Sequence, residues 1–549
     1  MISPPPGFWV RETGHAPLAP TPLTRPFWNL RTHLRQVAEE IGFLFDTLDT
    51  QVIGGWLYLR VVPLVDKAGP PPAPSLAPML FDTVPELRAR VRACVASARA
   101  DVPAQLVRRW YSEWRGEFAA RIEEIRAVDL GALSDADLAK QYETALALSD
   151  DGSAVHFRLW GAMVVALGRF DRTCRELLGW DDARSIELLV GTSTTTTEPA
   201  RAIASLIDAA RRAPAVLELL RSGASPAAVL AADPAFAAAF DGYQRTYGCR
   251  ALHHDLGEAT LAERPALLLD LVRDRLDQTG TTSHPATGAR LEQARREVAR
   301  LDPGAVERFE QDLARALAAY PVREDNEFFT LSVPLGLLRG IALQIGARLV
   351  ARGHLDRADD VVQLEVPELL SALIDGADRR ALVQRRVAEH AWTLAHPGPG
   401  WYGTPPGPPP PTDSLPVEVQ EVDSALWWAL SHIAASPVEP GPSGTITGRG
   451  VSAGTYRGPV RVIRSAADFP KLQAGDVLVC PMTTPVWSIL FGSIGALVSD
   501  QGGTLSHPAI IAREFGLPAV VATQDGTSRL VDGQIVTVDG RAGTVRLEA

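Results

Sequence analysis

A proline tract, HPGPGWYGTPPGPPPPTDSLP, divides the sequence at residues 396–416. Proline lacks the amide hydrogen that helices and sheet interiors need, and its ring fixes the backbone dihedral φ. A run this rich in proline therefore favours an extended, exposed segment with polyproline II character. The 549 residues exceed the usual size of a single hydrophobic core, so the tract is expected to link separate domains.

The region before the tract carries the period of amphipathic helices. Apolar residues recur at spacings of three, four and seven in ARAIASLIDAARRA and in PLGLLRGIALQIGARLVARGHL. Gly353 near the end of the second segment is the expected helix C-cap. The predicted buried positions are Ile203, Leu206, Ile207 and Ala210 in the first segment, and Leu335, Leu338, Ala342, Ile345 and Leu349 in the second. These patterns predict a large all-α domain over residues 1–395.

The region after the tract changes period. A helical connector is expected at 417–442, and from 443 onwards short strand-like runs such as PVRVI, DVLVC, ALVSD, AVVAT, IVTVDG and TVRLE alternate with turns. We therefore expect a compact α/β domain over residues 443–549.

The composition is that of a soluble globular protein with a formal net charge of −11, which disfavours nucleic acid and anionic membranes as partners. No signal peptide is recognisable, and four scattered cysteines without a CxxC pair fit a reducing cytoplasm and give no metal site. There are three lysines and no GxxxxGK[ST] loop. We therefore expect a cytoplasmic protein that does not itself bind ATP tightly.

One segment, SDQGGTLSHPAIIAREFGLPAVVAT at 499–523, has the pattern of a chemical site. ALVSD predicts a strand, and PAIIAREF, whose proline suits the first turn, begins a helix. His507 is thus expected at the helix N-terminus, where backbone N–H groups and the helix dipole favour an anion such as phosphate. The alternative is a histidine that only caps a helix. A second SHP tripeptide at Ser283-His284-Pro285 has no such context and predicts a loop.

The neighbours of His507 suit the same chemistry. Gly502 and Gly503 remove side chains from the approach to the ring, and Thr504 and Ser506 offer hydroxyl groups to an anion. Arg513, about two turns along the helix, either supplies positive charge or ties down the domain.

The pattern GGTLSHPAIIAREFGLPAVVAT, with the strands around it, resembles the mobile phosphohistidine domain of phosphoenolpyruvate-utilising enzymes over essentially all of 443–549. This resemblance implies a swivelling β/β/α fold. It also implies that His507 is phosphorylated on an imidazole nitrogen and relays the phosphoryl group, while the proline tract permits the domain to travel.

Segments 8–23, 243–269 and 322–369 are similar to the acceptor-binding helical region of rifampicin phosphotransferases. The resemblance places Arg323 near the transferred phosphoryl group, but Glu327 stands where the family often has a basic residue. It also suggests that His15 and His156 line an acceptor cleft. For the sequence His253-His254-Asp255, a local structural role is favoured over a metal or acid–base cluster.

The expected function is therefore a phosphotransferase component. Larger members of the family carry an ATP-grasp domain, so ATP and Mg²⁺ are expected on a separate ATP-grasp donor protein, with a small molecule as acceptor. Two alternatives stay open at this point. The phosphohistidine could activate a substrate for condensation or dehydration, or the fold could serve a non-catalytic binding or regulatory role.

Overall fold

The computed structural model describes residues 4–65, 74–192, 194–251, 253–276, 287–407, 409, 411–433, 444–483 and 487–548. The second SHP tripeptide, around His284, and residues 434–442 of the expected connector lie outside this set. The chain forms two compact units, neither of them continuous in sequence. The first unit comprises Met1–Ala166, His253–Glu258 and Asn326–Leu426, and the second comprises Leu167–Leu252, Ala259–Asp325 and Trp427–Ala549.

Helices dominate the part of the chain that the structure describes. They are α1 Arg31–Ile41, α2 Ala77–Thr83, α3 Pro85–Arg99, α4 Val102–Arg109, α5 Arg115–Arg126, α6 Asp135–Leu178, α7 Asp182–Ile186, α8 Thr194–Arg212, α9 Pro214–Arg221, α10 Pro226–Ala231, α11 Pro234–Tyr247, α12 Pro265–Arg273, α13 Thr287–Leu301, α14 Val306–Ala319, α15 Val322–Glu327, α16 Val333–Ala351, α17 Val366–Asp375, α18 Arg380–Ala395, α19 Val417–Ile433, α20 Ser488–Phe491, α21 His507–Glu514 and α22 Gly526–Arg529.

The predicted helix faces are confirmed. All nine predicted positions in α8 and α16 are buried. Gly353 adopts a left-handed φ of +77° just after α16, where its N–H and that of His354 bond to carbonyls of the last turn. A glycine at this position ends the helix at little conformational cost.

The first unit also contains a four-stranded sheet beside its helices, which the sequence analysis of this mostly helical region did not predict. The strands are β1 Trp9–Arg11, β2 Thr47–Ile53, β3 Trp56–Val62 and β4 Trp401–Tyr402, in the order β2-β3-β1-β4. Gly54 and Gly55, with φ of +59° and +88°, form the turn of the β2–β3 hairpin. Two consecutive residues with positive φ give the turn whose twist matches a hairpin.

The beginning of the proline tract belongs to this sheet. β4 pairs with β1, and the hydroxyl group of Tyr58 donates a hydrogen bond to the carbonyl of Pro399. The described residues from 404 to 411 are exposed and form neither helix nor strand.

The second unit contains an eight-stranded mixed sheet in the order β5-β12-β11-β7-β8-β9-β10-β6. Its strands are β5 Thr445–Thr447, β6 Arg449–Ser452, β7 Thr455–Val462, β8 Val477–Cys480, β9 Ala496–Ser499, β10 Ala519–Val521, β11 Ile535–Asp539 and β12 Thr544–Leu547. Strands β7, β8, β9 and β10 run parallel, and the remaining pairings are antiparallel. The fold class predicted from the sequence is confirmed: a helical N-terminal region is followed by a C-terminal α/β domain.

This α/β domain shares one hydrophobic core with helices of its own unit. Side chains of α8 to α12, such as Leu206 and Leu268, belong to the same buried cluster as Phe469, Leu490 and Phe491. The opposite face of the sheet encloses a second cluster that includes Val479 and Val536. Burial of both faces explains why the central strands are apolar along their length.

Among the described residues, one helical run, Pro303–Ala351, is long and apolar enough to cross a bilayer by length and composition alone. Of its most apolar window, 61% is buried inside the protein, as in a core helix.

Candidate functional site

His507 stands at the start of α21, where the chain leaves β9 through a short loop. Ser506 caps the helix with an extended backbone, at φ −70° and ψ 158°, and Pro508 follows in the first turn. A proline there removes only an N–H group that would have no partner within the helix. The predicted position of His507 at a helix N-terminus is therefore confirmed.

The two glycines before His507 are required by the backbone itself. Gly502 has a φ of +117°, which residues with side chains rarely adopt. A Cβ atom on Gly503 would lie 1.7 Å from the carbonyl oxygen of His432. Gly503 therefore allows the end of α19 to pass against the loop, a role that the sequence analysis did not foresee.

The imidazole of His507 faces a carboxylate of α15. Its Nδ1 lies 2.9 Å from Oε2 of Glu324, and both side chains are at most 10% exposed. Because a carboxylate only accepts hydrogen bonds, Nδ1 carries the proton and donates. In the neutral ring this leaves a lone pair on Nε2, which is buried and has no hydrogen-bond partner among the described residues. In this tautomer Nε2 is the ring nitrogen that could act as a nucleophile.

Arg323, predicted to lie near the phosphoryl group, does reach the histidine loop. Its Nη1 donates to the carbonyl oxygen of Leu505, two residues before His507. Its Nε lies 3.8 Å from Oε1 of Glu324. The guanidinium group thus places positive charge beside the carboxylate that holds the histidine.

The other predicted anion-binding groups make contacts inside the loop. The hydroxyl group of Ser506 donates to the carbonyl of Gly503 at 2.7 Å. Nη1 of Arg513 donates to the carbonyl of Thr504 at 2.6 Å, and Arg513 is only 4% exposed. Burial lowers the pKa of the Arg513 guanidinium. These contacts fix the shape of the loop, and a direct contact between any of these groups and phosphate stays a prediction.

Two further residues of the second unit hold the loop and were missed by the sequence analysis. Nε2 of His432 lies 2.8 Å from Oδ2 of Asp182, and the hydroxyl group of Thr504 donates to the same oxygen at 3.2 Å. Burial raises the pKa of Asp182, but the hydrogen bond and charge attraction from His432 outweigh it and hold the pKa well below its usual range. No local sequence pattern joins residues that are 250 positions apart.

Glu514 is a buried carboxyl group at the far end of α21. Both of its oxygens lie 3.1 Å from the backbone N–H of Gly191, and the residue is 1% exposed. Burial raises the pKa of the Glu514 carboxyl group to about 7, with the hydrogen bond from Gly191 acting in the opposite direction.

The first unit has a pocket of its own, of about 100 Å³. Apolar residues and Trp28 line it together with the imidazoles of His15, His253, His254 and His390. Nε2 of His254 lies 3.2 Å from Oε1 of Glu327. A carboxylate in this position orients an imidazole.

The other histidines singled out from the sequence have structural partners. Asp255, after the histidine pair, accepts hydrogen bonds from the N–H and hydroxyl groups of Thr21, which is a local structural role for this residue. Nδ1 of His156 lies 2.7 Å from Oδ1 of Asn326. Burial lowers the pKa of His156 to about 4, so its ring is neutral near pH 7. His15 lines the pocket, whereas His156 is not among the lining residues.

Comparison with known families finds two matching segments in the chain. Residues 472–543 match the family described as PEP-utilising enzyme, mobile domain, and this match contains His507. Residues 157–324 match the rifampicin phosphotransferase fourth domain, and this match contains Asp182, Arg323 and Glu324. The residues that surround His507 therefore come from two family segments.

Similar proteins are much longer than this chain. Chondramide synthase of Chondromyces crocatus is 29% identical over 98% of this chain, which spans 14% of that protein. An uncharacterised phosphotransferase of Bacillus subtilis is 34% identical over 44% of this chain and 28% of its own length. Rifampicin phosphotransferase of a Streptomyces species is 31% identical over 56% of this chain and 34% of its own length. The chain is therefore similar to PEP-utilising enzymes in its mobile domain at 472–543 and to rifampicin phosphotransferases in the helical region at 157–324.

Proposed function

We propose that this protein transfers a phosphoryl group through Nε2 of His507 to a small-molecule acceptor. The hydrogen bond between Nδ1 of His507 and Glu324 carries the proposal, because it fixes the tautomer in which Nε2 is the nucleophile.

The relay consists of two substitutions at phosphorus. In the first, the Nε2 lone pair attacks the donor phosphorus, an N–P bond forms and the P–O bond to the donor's leaving group breaks. In the second, an acceptor oxygen attacks, the N–P bond breaks and the electron pair returns to Nε2. The proton on Nδ1 stays in place throughout, and the Glu324 carboxylate stabilises the positive charge of the phosphorylated ring.

The donor in this proposal is ATP with Mg²⁺, bound by a separate ATP-grasp protein. The absence of a GxxxxGK[ST] loop from this sequence supports that assignment. Both steps of the relay would take place in the cytoplasm, and neither would involve nucleic acid or a membrane.

The acceptor in this proposal occupies the pocket of the first unit. Its walls combine apolar surface with imidazoles and the carboxyl groups of Asp255 and Glu258, and no lysine or arginine is among the described residues that line it. Such a lining suits an uncharged, partly apolar molecule with a hydroxyl group. The pair formed by His254 and Glu327 would remove the hydroxyl proton as the oxygen attacks.

A second candidate function is activation of a substrate for condensation or dehydration. The similarity to a protein named chondramide synthase over 98% of this chain favours it. Product analysis separates the two functions. A stable phosphorylated acceptor indicates kinase chemistry, whereas free phosphate together with a new bond in the acceptor indicates activation.

The experiment for the relay uses the full chain, a candidate donor protein and ATP labelled on its transferable phosphates. An acid-labile, base-stable label is expected on this chain, and His507→Ala should abolish it while His396→Gln, at an exposed histidine, should not. Label that persists in His507→Ala would overturn the assignment.

A further inference from the structure

The contact between His432 and Asp182 is used by neither substitution at phosphorus, yet it adjoins the loop that carries His507. His432 lies in the last turn of α19, and Asp182 is the first residue of α7. The two side chains are 12% and 28% exposed, so the pair is shielded from water more than a surface ion pair. Interactions of this kind are weakened less by solvent and salt.

His432 has partners at both ring nitrogens. Nε2 faces the Asp182 carboxylate, and Nδ1 lies near the carbonyl oxygen of Trp428 and 3.0 Å from the hydroxyl group of Ser431. The hydroxyl group can donate or accept, so the ring is held at both ends.

The same two residues both contact the Gly502–Ser506 loop. The Asp182 oxygen that faces His432 also accepts from the hydroxyl group of Thr504. The backbone carbonyl of His432 lies against Gly503, the contact that excludes a side chain there, and within 3.5 Å of the N–H of Leu505. Three arginines among the described residues also face this region: Arg449, 3.5 Å from Ser431 O and Thr504 Oγ1, Arg513, on Thr504 O, and Arg175 of α6, which is attracted to the Asp182 carboxylate.

We propose that the hydrogen-bonded pair of His432 and Asp182 is a clamp that positions the Gly502–Ser506 loop for phosphoryl transfer and keeps Nε2 of His507 covered. The two are positioning residues, since neither touches His507. The inference rests on the proposed function, because it assumes that Nε2 is the atom phosphorylated. Breaking the clamp should expose Nε2 to small phosphoryl donors.

The test uses phosphoramidate, which transfers its phosphoryl group to an imidazole nitrogen as its own P–N bond breaks and ammonia leaves. The rate of phosphorylation of His507 in the full chain, followed by peptide mass spectrometry under non-acidic conditions, reports how often Nε2 is uncovered. Asp182→Asn keeps the size of the side chain and removes its charge, and His432→Gln removes the second donor. Asp181→Asn is the matched control, since it changes the neighbouring carboxylate, which caps α7 through Arg184 N, and asparagine caps a helix equally well.

We expect Asp182→Asn and His432→Gln each to raise the rate at least about five-fold, as for a partly buried polar pair, and the double variant to add little more. The control should match the wild-type protein.

Unchanged rates in both variants would overturn the clamp, and so would increases that are additive in the double variant. Failure of the relay itself is read separately, from the labelled-ATP experiment on the wild-type chain, because phosphoramidate labels an uncovered imidazole whether or not the protein is a phosphotransferase. If His432→Gln does not fold, the comparison of Asp182→Asn with Asp181→Asn decides alone.

Discussion

The site around His507 was predictable from the sequence only in part. Its position at a helix N-terminus was predictable from the strand, the glycines and the proline around it. Glu324 was not, because it lies 183 positions away and no local pattern connects it to the histidine. A glutamate in a helical segment is usually a solvated residue, and only the fold shows that this one is buried against the ring.

The isomer of phosphohistidine tests this arrangement. Because Glu324 holds the proton on Nδ1, we expect the phosphoryl group only on Nε2 in the wild-type protein. Glu324→Ala should allow the other tautomer and give a mixture of the two isomers. Alkaline hydrolysis followed by chromatography of the phosphohistidines measures the ratio. A single Nε2 isomer in Glu324→Ala would show that the carboxylate does not set the tautomer.

The raised pKa of Glu514 predicts how the stability of the protein depends on pH. Its pKa is raised from about 4.5 in the unfolded chain to about 7 in the folded protein. The folded state therefore binds more protons, so the contribution of Glu514 to stability is present below pH 4.5 and is lost as the pH rises through 7.

Glu514→Gln cannot ionise, so it should become more stable than the wild-type protein as the pH rises from 5 to 8. The gain is at most about 3 kcal/mol, since one pKa unit corresponds to about 1.4 kcal/mol. Urea denaturation at both pH values measures it. A difference in the free energy of unfolding that does not change with pH would contradict the prediction.

At the scale of elements, the loop between β9 and α21 depends on how closely the end of α19 approaches it. Gly503→Ala would place a methyl group on the carbonyl of His432, where neither backbone can easily retreat. We expect a loss of at least about 3 kcal/mol in the free energy of unfolding, the range of severe steric substitutions. Gly492→Ala is the control, because a Cβ there meets nothing within 4 Å. It should change stability by less than about 0.5 kcal/mol. Equal stability of the two variants would contradict the close approach.

The strands could be predicted from the sequence where the local pattern of apolar and turn residues is strong. All six strand-like runs named from the sequence after residue 443 are strands, because apolar runs between turn residues have few alternatives. The sheet of the first unit was missed. Its β1 has three residues and β4 two, too few for a period, and β4 lies inside a proline tract. Such strands are stabilised by their partners in the sheet rather than by their own sequence.

The proline tract also differs from a free linker at its beginning, where the sheet of the first unit holds it through β4 and Tyr58. The division between the units falls inside α19, after Leu426. The domain boundaries drawn from the sequence, and movement of the α/β domain through the tract, stay predictions.

For the whole molecule, the sequence predicts dependence on a partner. Without a phosphate-cradling loop, the isolated chain should not bind Mg-ATP at micromolar concentrations, which corresponds to a binding free energy of about −8 kcal/mol. Calorimetric titration of the full chain with Mg-ATP measures this, with a known ATP-grasp protein as the positive control. Micromolar binding would remove the need for a separate donor.

The shared core of the second unit sets the resting state of such a relay. Phe469, Leu490 and Phe491 are buried in one cluster with side chains of α8 and α12, so separating the α/β domain from these helices would bring large apolar groups into water. At about 2 kcal/mol for each large side chain, three of them alone disfavour the separated form by roughly 6 kcal/mol, or about four powers of ten in population. In an isolated molecule the separated form would then be populated at only about one part in ten thousand. A donor protein would therefore have to cover the exposed core with apolar surface of its own as well as supply a phosphoryl group. The turnover rate of the relay would then be limited by the concentration of the donor protein and not by the rate of phosphoryl transfer.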